Sequence, residues 1–154
     1  NLYGPGDNYD DLNGHVLAAL IQRFYKAKKH SKKSVTCWGT GLPYREFMHV
    51  DDLGSATLFT LENWDPNCSK APKDSSGNPL FHLNVGTGKE ISIKNLANKI
   101  ASFIGYEGEI IWDSTKPDGT MRKLLNVEKI NKLGWKASIN LNDGLKSTIK
   151  NLTI

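Results

Sequence analysis

The run Arg45-Glu46-Phe47-Met48-His49-Val50-Asp51-Asp52 joins two patterns with no linker between them. From Arg45 to Val50, Phe47 and Met48 alternate with polar partners, which predicts a strand. Asp51 and Asp52 then offer carboxylates to cap a helix reaching about Asn63. A strand that passes directly into a helix is the repeating step of an α/β fold.

The same alternation continues outward on both sides. Upstream, a helix is expected from Gly14 or Asn13 to about Lys29, because Val16, Leu17, Leu20, Ile21 and Phe24 recur at helical spacing. Val35–Trp38 reads as a short strand closed by Gly39 and Gly41. Downstream, residues 64–79 are a loop, broken by Asp65-Pro66, Ala71-Pro72, Ser76-Gly77 and Asn78-Pro79. Phe81–Val85 has strand alternation and ends at Gly86 and Gly88. Ser92 caps the clearest helix, whose face is Ile93, Leu96, Ala97, Ile100 and Ile104 and whose stop is Gly105. Glu109–Trp112 is a strand, Asn126 caps a short helix that stops at Gly134, and a last helix covers about Leu141–Leu152. The pattern predicts a mixed α/β domain of βαβ-type packing, with helices outnumbering strands. No internal repeat is present, and no strand is followed by Gly-x-Gly-x-x-Gly.

Composition narrows the class. A chain of 154 residues with 38% hydrophobic and 23% charged residues makes one domain with a real core. The net charge of +4 suits an anionic partner such as nucleic acid, a membrane surface or a phosphorylated small molecule. Cys37 and Cys68 lie far apart and outside any Cys-x-x-Cys, so a reduced, cytoplasmic setting is expected, with no metal. No apolar run approaches the ~20 residues of a membrane span. The opening Asn1-Leu2-Tyr3-Gly4-Pro5-Gly6-Asp7 reads as the end of a buried strand entering a loop, as though a longer chain were cut there.

Several residues carry candidate chemistry, each with a plain structural alternative. Histidine can give or take a proton near neutral pH; His15, at the start of the first helix, is a candidate acid/base or a capping residue. Arg23 and Arg45 offer the planar forks that match diphosphate oxygens, or are solvated surface arginines. Trp38 beside Gly39 and Gly41 can stack on a base while the backbone comes close, or can pack in the core. Within the turn Lys116-Pro117-Asp118-Gly119-Thr120, Asp118 can accept from sugar hydroxyls, and Lys123 beyond it can meet phosphate. The lysines at 26, 28, 29, 32 and 33 lack interleaved aromatics, so they read as a solvated helix end rather than a nucleic-acid surface. Gly86-Thr87-Gly88 lacks the Lys-Ser/Thr of a P-loop and reads as a turn.

Taken in order, these signals form a layout. Asn1-Leu2-Tyr3-Gly4-Pro5, His15, Arg23, Trp38-Gly39, the 45–52 run and Asn84-Val85-Gly86-Thr87-Gly88 together resemble the second half of the extended short-chain dehydrogenase/reductase family. The Arg-Glu-Phe-x-His-Val-x-Asp run is that of its sugar-nucleotide members. Lys116-Pro117-Asp118-Gly119-Thr120-Met121-Arg122-Lys123-Leu124-Leu125 and the spacing to His15-Val16 resemble the NADPH-dependent members that epimerise and reduce a GDP-linked 4-keto-6-deoxyhexose. The resemblance covers residues 1–154. It implies the carboxy-terminal, substrate-binding portion of such an enzyme, without the Gly-rich Rossmann half and its Ser, Tyr and Lys. It implies His15 as the catalytic residue, Asn1, Leu2 and His15 at NADP(H), and Arg23, Trp38, Arg45, Asp118 and Lys123 at the GDP-sugar. A homodimeric parent, a partner set without nucleic acid or membrane, and no activity for this portion alone are also implied. The corresponding part of a different extended short-chain epimerase or dehydratase is the near alternative, and a basic nucleic-acid module the distant one.

Overall fold

The computed structural model describes residues 1–10 and 13–152. Its elements run β1 (Leu2–Tyr3), α1 (Val16–Lys29), β2 (Ser34–Trp38), β3 (Tyr44–Glu46), β4 (Met48–His49), α2 (Val50–Asn63), β5 (Glu90–Ser92), α3 (Ile93–Ile104), β6 (Glu109–Asp113), β7 (Arg122–Lys123), α4 (Glu128–Leu133) and α5 (Leu141–Lys150). The expected α/β class is the one that forms. Strands pair in three small sheets: β1 parallel to β4, β2 parallel to β6, and β3 between antiparallel β5 and parallel β7.

The main core follows from two amphipathic helices. Leu17, Leu20, Ile21 and Phe24 of α1 are buried in one cluster with Leu96, Ala97, Ile100 and Ile104 of α3, together with Val35 and Cys37 of β2 and Leu145 of α5. Burying each large apolar side chain contributes about 1.5–3 kcal/mol, so this cluster outweighs any single cap. The caps set where α3 starts and stops. Ser92 Oγ accepts the Asn95 N–H at 3.2 Å, and Gly105 closes the helix in the left-handed region at φ 72°. A smaller cluster of Met48, Ala56, Val127, Ile130 and Trp135 joins α2 to α4.

The 45–52 run is more divided than its pattern suggests. It makes two strands in different sheets, and Phe47 alone carries the chain across. The helix cap is His49, not Asp51 or Asp52: its Nδ1 accepts the Asp51 N–H at 3.3 Å, so α2 begins at Val50. Asp51 lies in the first turn, where a carboxylate suits the helix dipole. Asp52 is 2% exposed and serves another segment. Its Oδ1 accepts from the Ser138 N–H at 3.0 Å and the Ser138 hydroxyl at 2.9 Å, and its Oδ2 from the Ile139 N–H at 3.0 Å.

Other expectations need correction. Phe81–Val85 is not a strand, and Phe81 is exposed. Both edges of β3 are already taken by β5 and β7, short polar segments whose composition gave no strand signal. Strands therefore outnumber helices among the described residues, although each is short. Asn126 accepts the Glu128 N–H at 2.9 Å, but the residue at the α4 cap is Val127. α5 ends at Lys150, short of Leu152.

Asp52→Ala strands two backbone donors in a mostly buried place, at about 1–3 kcal/mol each. Urea denaturation should show a loss of roughly 2–4 kcal/mol. A change below about 0.5 kcal/mol, the level of an ordinary surface substitution, would show that water replaces the carboxylate without cost.

Candidate functional site

Two adjoining clefts open at the carboxy-terminal ends of the parallel strands β2 and β6, the usual place for a ligand in an α/β sheet. The larger holds about 240 Å³ and is lined by Gly14, Val16, Leu20, Arg23, Cys37, Trp38, Ile93 and Trp112, among others. The smaller, about 160 Å³, adds Gly41, Pro43, Arg45, Pro117, Asp118 and Gly119. Val16, Trp38 and Ile93 line both. Val16 and Ile93 are the first residues of α1 and α3, so two helix N-termini converge on the site.

Those N-termini differ. At α3 the first amides are taken: Ile93 N–H by the Pro43 carbonyl, Lys94 N–H by the Gly41 carbonyl, both at 2.9 Å, and Asn95 N–H by Ser92. At α1 the N-cap is His15, whose side chain makes no capping bond, and the first turn holds no acidic residue. The positive end of this 14-residue helix thus lies beside the clefts without a side-chain cap from His15.

The loop after β2 is shaped by two glycines in the left-handed region, Gly39 at φ 77° and Gly41 at φ 74°. Asp118 latches it. Its Oδ1 accepts the Thr40 N–H at 2.8 Å and its Oδ2 the Thr40 hydroxyl at 2.5 Å. Gly39 is obligatory here, because a side chain would run into that carboxylate. Trp38 is 59% exposed on the rim, with Lys116 Nζ 5.9 Å from its ring centroid.

Arg23 Nη1 donates to the Thr36 carbonyl at 3.0 Å and Arg45 Nη1 to the Tyr44 carbonyl at 2.7 Å, so both guanidiniums are tethered at the clefts. They line neighbouring clefts rather than one. Lys123 is exposed on β7 and stands beside Arg45 in register. His15 is exposed between Gly14 and Val16, at the end of α1 that borders the site. Asn1 and Leu2 do not line these two clefts. The Asn1 amide donates to the Glu46 carbonyl at 2.8 Å, and Leu2 pairs with Met48. Cys37 faces the larger cleft, where burial pushes its thiol up and the nearby Arg23 partly offsets this. Trp112, Ile93 and Thr40 were not picked out as site residues from sequence, because a parallel register and a contact 78 residues apart leave no local signal. Among the described residues no three His, Cys, Asp or Glu gather as a metal site, and no helix is long and apolar enough to cross a membrane.

The fold resembles that of extended short-chain epimerases and reductases over roughly half of their length, and residues 1–71 match the model of the NAD dependent epimerase/dehydratase family. Curated relatives include several GDP-L-fucose synthases and a GDP-L-colitose synthase of Yersinia pseudotuberculosis. The probable GDP-L-fucose synthase 1 of Oryza sativa subsp. japonica is 47% identical over 97% of this chain and 42% of its own length. The GDP-L-fucose synthase of Escherichia coli (strain K12) is 43% identical over 96% of this chain and 45% of its own. Among solved structures, a GDP-D-glycero-L-gluco-heptose synthase of Campylobacter jejuni, determined in the presence of NADPH, superposes with TM-score 0.80 at 32% identity, covering 98% of this chain and 50% of that one. The chain thus spans less than half the length of the curated relatives it matches.

The Asp118 latch makes a pH prediction. Its hydrogen bonds from Thr40 hold the carboxyl below the ordinary 3.8. A lowered folded pKa means the latch contributes fully above the ordinary carboxylate range near ~3.9 and is lost as pH falls through the lowered value. NMR titration should find Asp118 below its ordinary midpoint, and Thr40→Val should return it upward. A wild-type midpoint at or above the ordinary value would show the latch open.

Proposed function

We propose that this chain is the sugar-nucleotide-binding part of an NADPH-dependent epimerase/reductase of the GDP-L-fucose synthase type, acting on a GDP-linked 4-keto-6-deoxyhexose. The observation that carries this reading is the convergence of Arg23, Arg45, exposed Trp38 and the uncapped end of α1 on two adjoining clefts. Arginine forks and a helix N-terminus neutralise a diphosphate, with Lys123 beside Arg45 adding charge. Trp38 holds the nucleotide from the rim. Asp118 sets the loop that carries Trp38 through its bonds from Thr40, and each of its oxygens keeps a lone pair for a sugar hydroxyl.

The chemistry asked of this chain is proton transfer. A ketone at C4 acidifies the protons on C3 and C5, since the carbanion delocalises into an enolate. Inversion takes a proton from one face and returns one to the other, which requires a positioned acid/base. His15 is that group, exposed at the end of α1 where it can reach a sugar anchored by its diphosphate. Binding energy from the remote nucleotide holds the ketose in register.

The described residues do not fit a dinucleotide by themselves. No strand leads into Gly-x-Gly-x-x-Gly, the loop that would cradle its diphosphate. NADP(H) is read as bound mainly by residues outside this chain, with Asn1, Leu2 and His15 at its nicotinamide end, and the chain alone is expected to give no turnover. The parent is read as a homodimer of the cytoplasm, where the free thiols of Cys37 and Cys68 would persist.

The test is titration with GDP. A charge-assisted hydrogen bond to phosphate contributes ~1.5–3 kcal/mol, so Arg45→Ala or Arg23→Ala should each weaken GDP binding roughly 10- to 150-fold with little change in melting temperature. Unchanged affinity in both variants would place the diphosphate elsewhere, and UDP bound as tightly as GDP would favour a UDP-sugar epimerase. In a parent enzyme that carries both halves, His15→Asn should slow exchange of solvent deuterium into C3 and C5 by roughly 10²–10⁴-fold. Exchange at the parental rate would leave His15 a merely structural residue.

A further inference from the structure

We propose that the groove at the carboxy-terminal ends of α1, α3 and α5 is a binding slot for a free alkyl carboxylate, an apolar chain with one anionic head. The groove holds about 430 Å³ and is lined by Tyr25, Lys28, Lys29, Phe103, Ile149 and Leu152, together with the buried Ile104. It shares no lining residue with the two clefts described above, which open at the other ends of α1 and α3. A 14-residue helix such as α1 is ~21 Å long, which sets the separation of the two places.

The groove exists because three helices stop around it, α1 at Lys29, α3 at Ile104 and α5 at Lys150. Tyr25, Phe103, Ile149 and Leu152 pack on the main core with one side and stay half-buried. Their other sides form the apolar wall. Lys28 straps two of the helix ends together: its Nζ donates to the Ile104 carbonyl at 2.6 Å. Gly105 leaves room for that strap, since a Cβ there would lie 3.1 Å from Nζ. The bond satisfies a helix-end carbonyl that would otherwise face the slot unpaired.

Charge and size choose the occupant. Helix carboxy-termini carry about −0.5 elementary charge each, roughly −1.5 for three. Against this stand the ammonium groups of Lys28 and Lys29 in the lining and of Lys146, whose Nζ lies 5.6 Å from the Phe103 ring centroid. No aspartate or glutamate is among the described residues that line the groove. Its rim is therefore positive and suits an anion. A stable protein interface needs about 800 Å² per partner from some 20–30 residues, far more than the seven residues here supply. The volume of about 430 Å³ falls instead among small-molecule pockets. A bilayer is disfavoured because Tyr25 and Phe103 are half-buried and do not project as anchors. An alkyl chain fills the apolar wall, and its carboxylate reaches the exposed Lys29.

Calorimetric titration with decanoate, octanoate, acetate and decyltrimethylammonium, each below its micellar concentration, tests the slot. Decanoate should bind roughly 15-fold more tightly than octanoate, since each buried methylene tightens binding about fourfold. Acetate, which lacks the chain, should not bind, and decyltrimethylammonium, which reverses the head, should bind far more weakly than decanoate. Lys29→Glu replaces an exposed attraction with a repulsion, so it should weaken decanoate roughly 2- to 30-fold with no change in melting temperature. Amide shifts on adding decanoate to the ¹⁵N-labelled protein should centre on Tyr25, Ile104 and Ile149. Equal affinity for octanoate and decanoate, full affinity in Lys29→Glu, or decyltrimethylammonium bound as tightly as decanoate would overturn the proposal. So would shifts centred on Val16 and Thr40, or a protein that sediments with vesicles of anionic phospholipid but does not bind decanoate.

Discussion

The carboxylate of Glu46 is the constraint on which the rest of this domain depends. It is 4% exposed. Its Oε1 accepts the Gly88 N–H at 2.6 Å and the Thr87 hydroxyl at 3.2 Å, and its Oε2 accepts the Leu125 N–H at 3.1 Å. Those donors precede β5 and follow β7, the strands on either side of Glu46's own strand. The ladders there are only three and two residues long, too short to be stable alone. One buried acceptor therefore pins both flanks of β3, and Gly86 must lack a side chain because a Cβ there would lie 2.5 Å from Oε1. Burying this carboxylate is tolerable only because its oxygens are met by hydrogen-bond donors.

The site inherits its geometry from that arrangement. Arg45 is the neighbour of Glu46 on β3, and Lys123 of β7 is held beside it by the ladder that the carboxylate secures. The segment running into β7 brings Asp118 to Thr40, which orients the loop after β2 and with it Trp38. Packing of α1 on α3 supplies the other half, since it sets Val16 and Ile93 at the mouth of both clefts. Two independent supports, a polar staple and an apolar helix pair, thus meet where the ligand is proposed to lie.

Long helices were legible in the sequence because one face of each is apolar at a fixed period. α1 and α3 fall within three residues of their expected bounds, and Ser92 and Gly105 act as their residue types predict. Short strands were not legible. Glu90–Ser92 and Arg122–Lys123 have polar sequences and become strands through pairing, whereas Phe81–Val85 alternates convincingly and finds no partner. Asp52 shows the same limit for side chains: its type suggests a cap, and its real work is to hold Ser138 and Ile139, far along the chain. Arg23, Trp38, Arg45 and Asp118 could be picked out singly and are brought to the adjoining clefts. Asn1 and Leu2 lie in another sheet region, and the place of Trp112 at the larger cleft depends on a register that no local pattern encodes.

The central claim is that a sugar nucleotide binds between the α1 and α3 N-termini and the loop after β2. Amide chemical-shift mapping of the ¹⁵N-labelled protein during GDP titration addresses it directly. The account predicts the largest shifts at Val16, Thr40, Gly41, Ile93 and Gly119. Shifts confined instead to Leu124–Glu128, or to Ser138–Leu141, which line separate clefts, would contradict it.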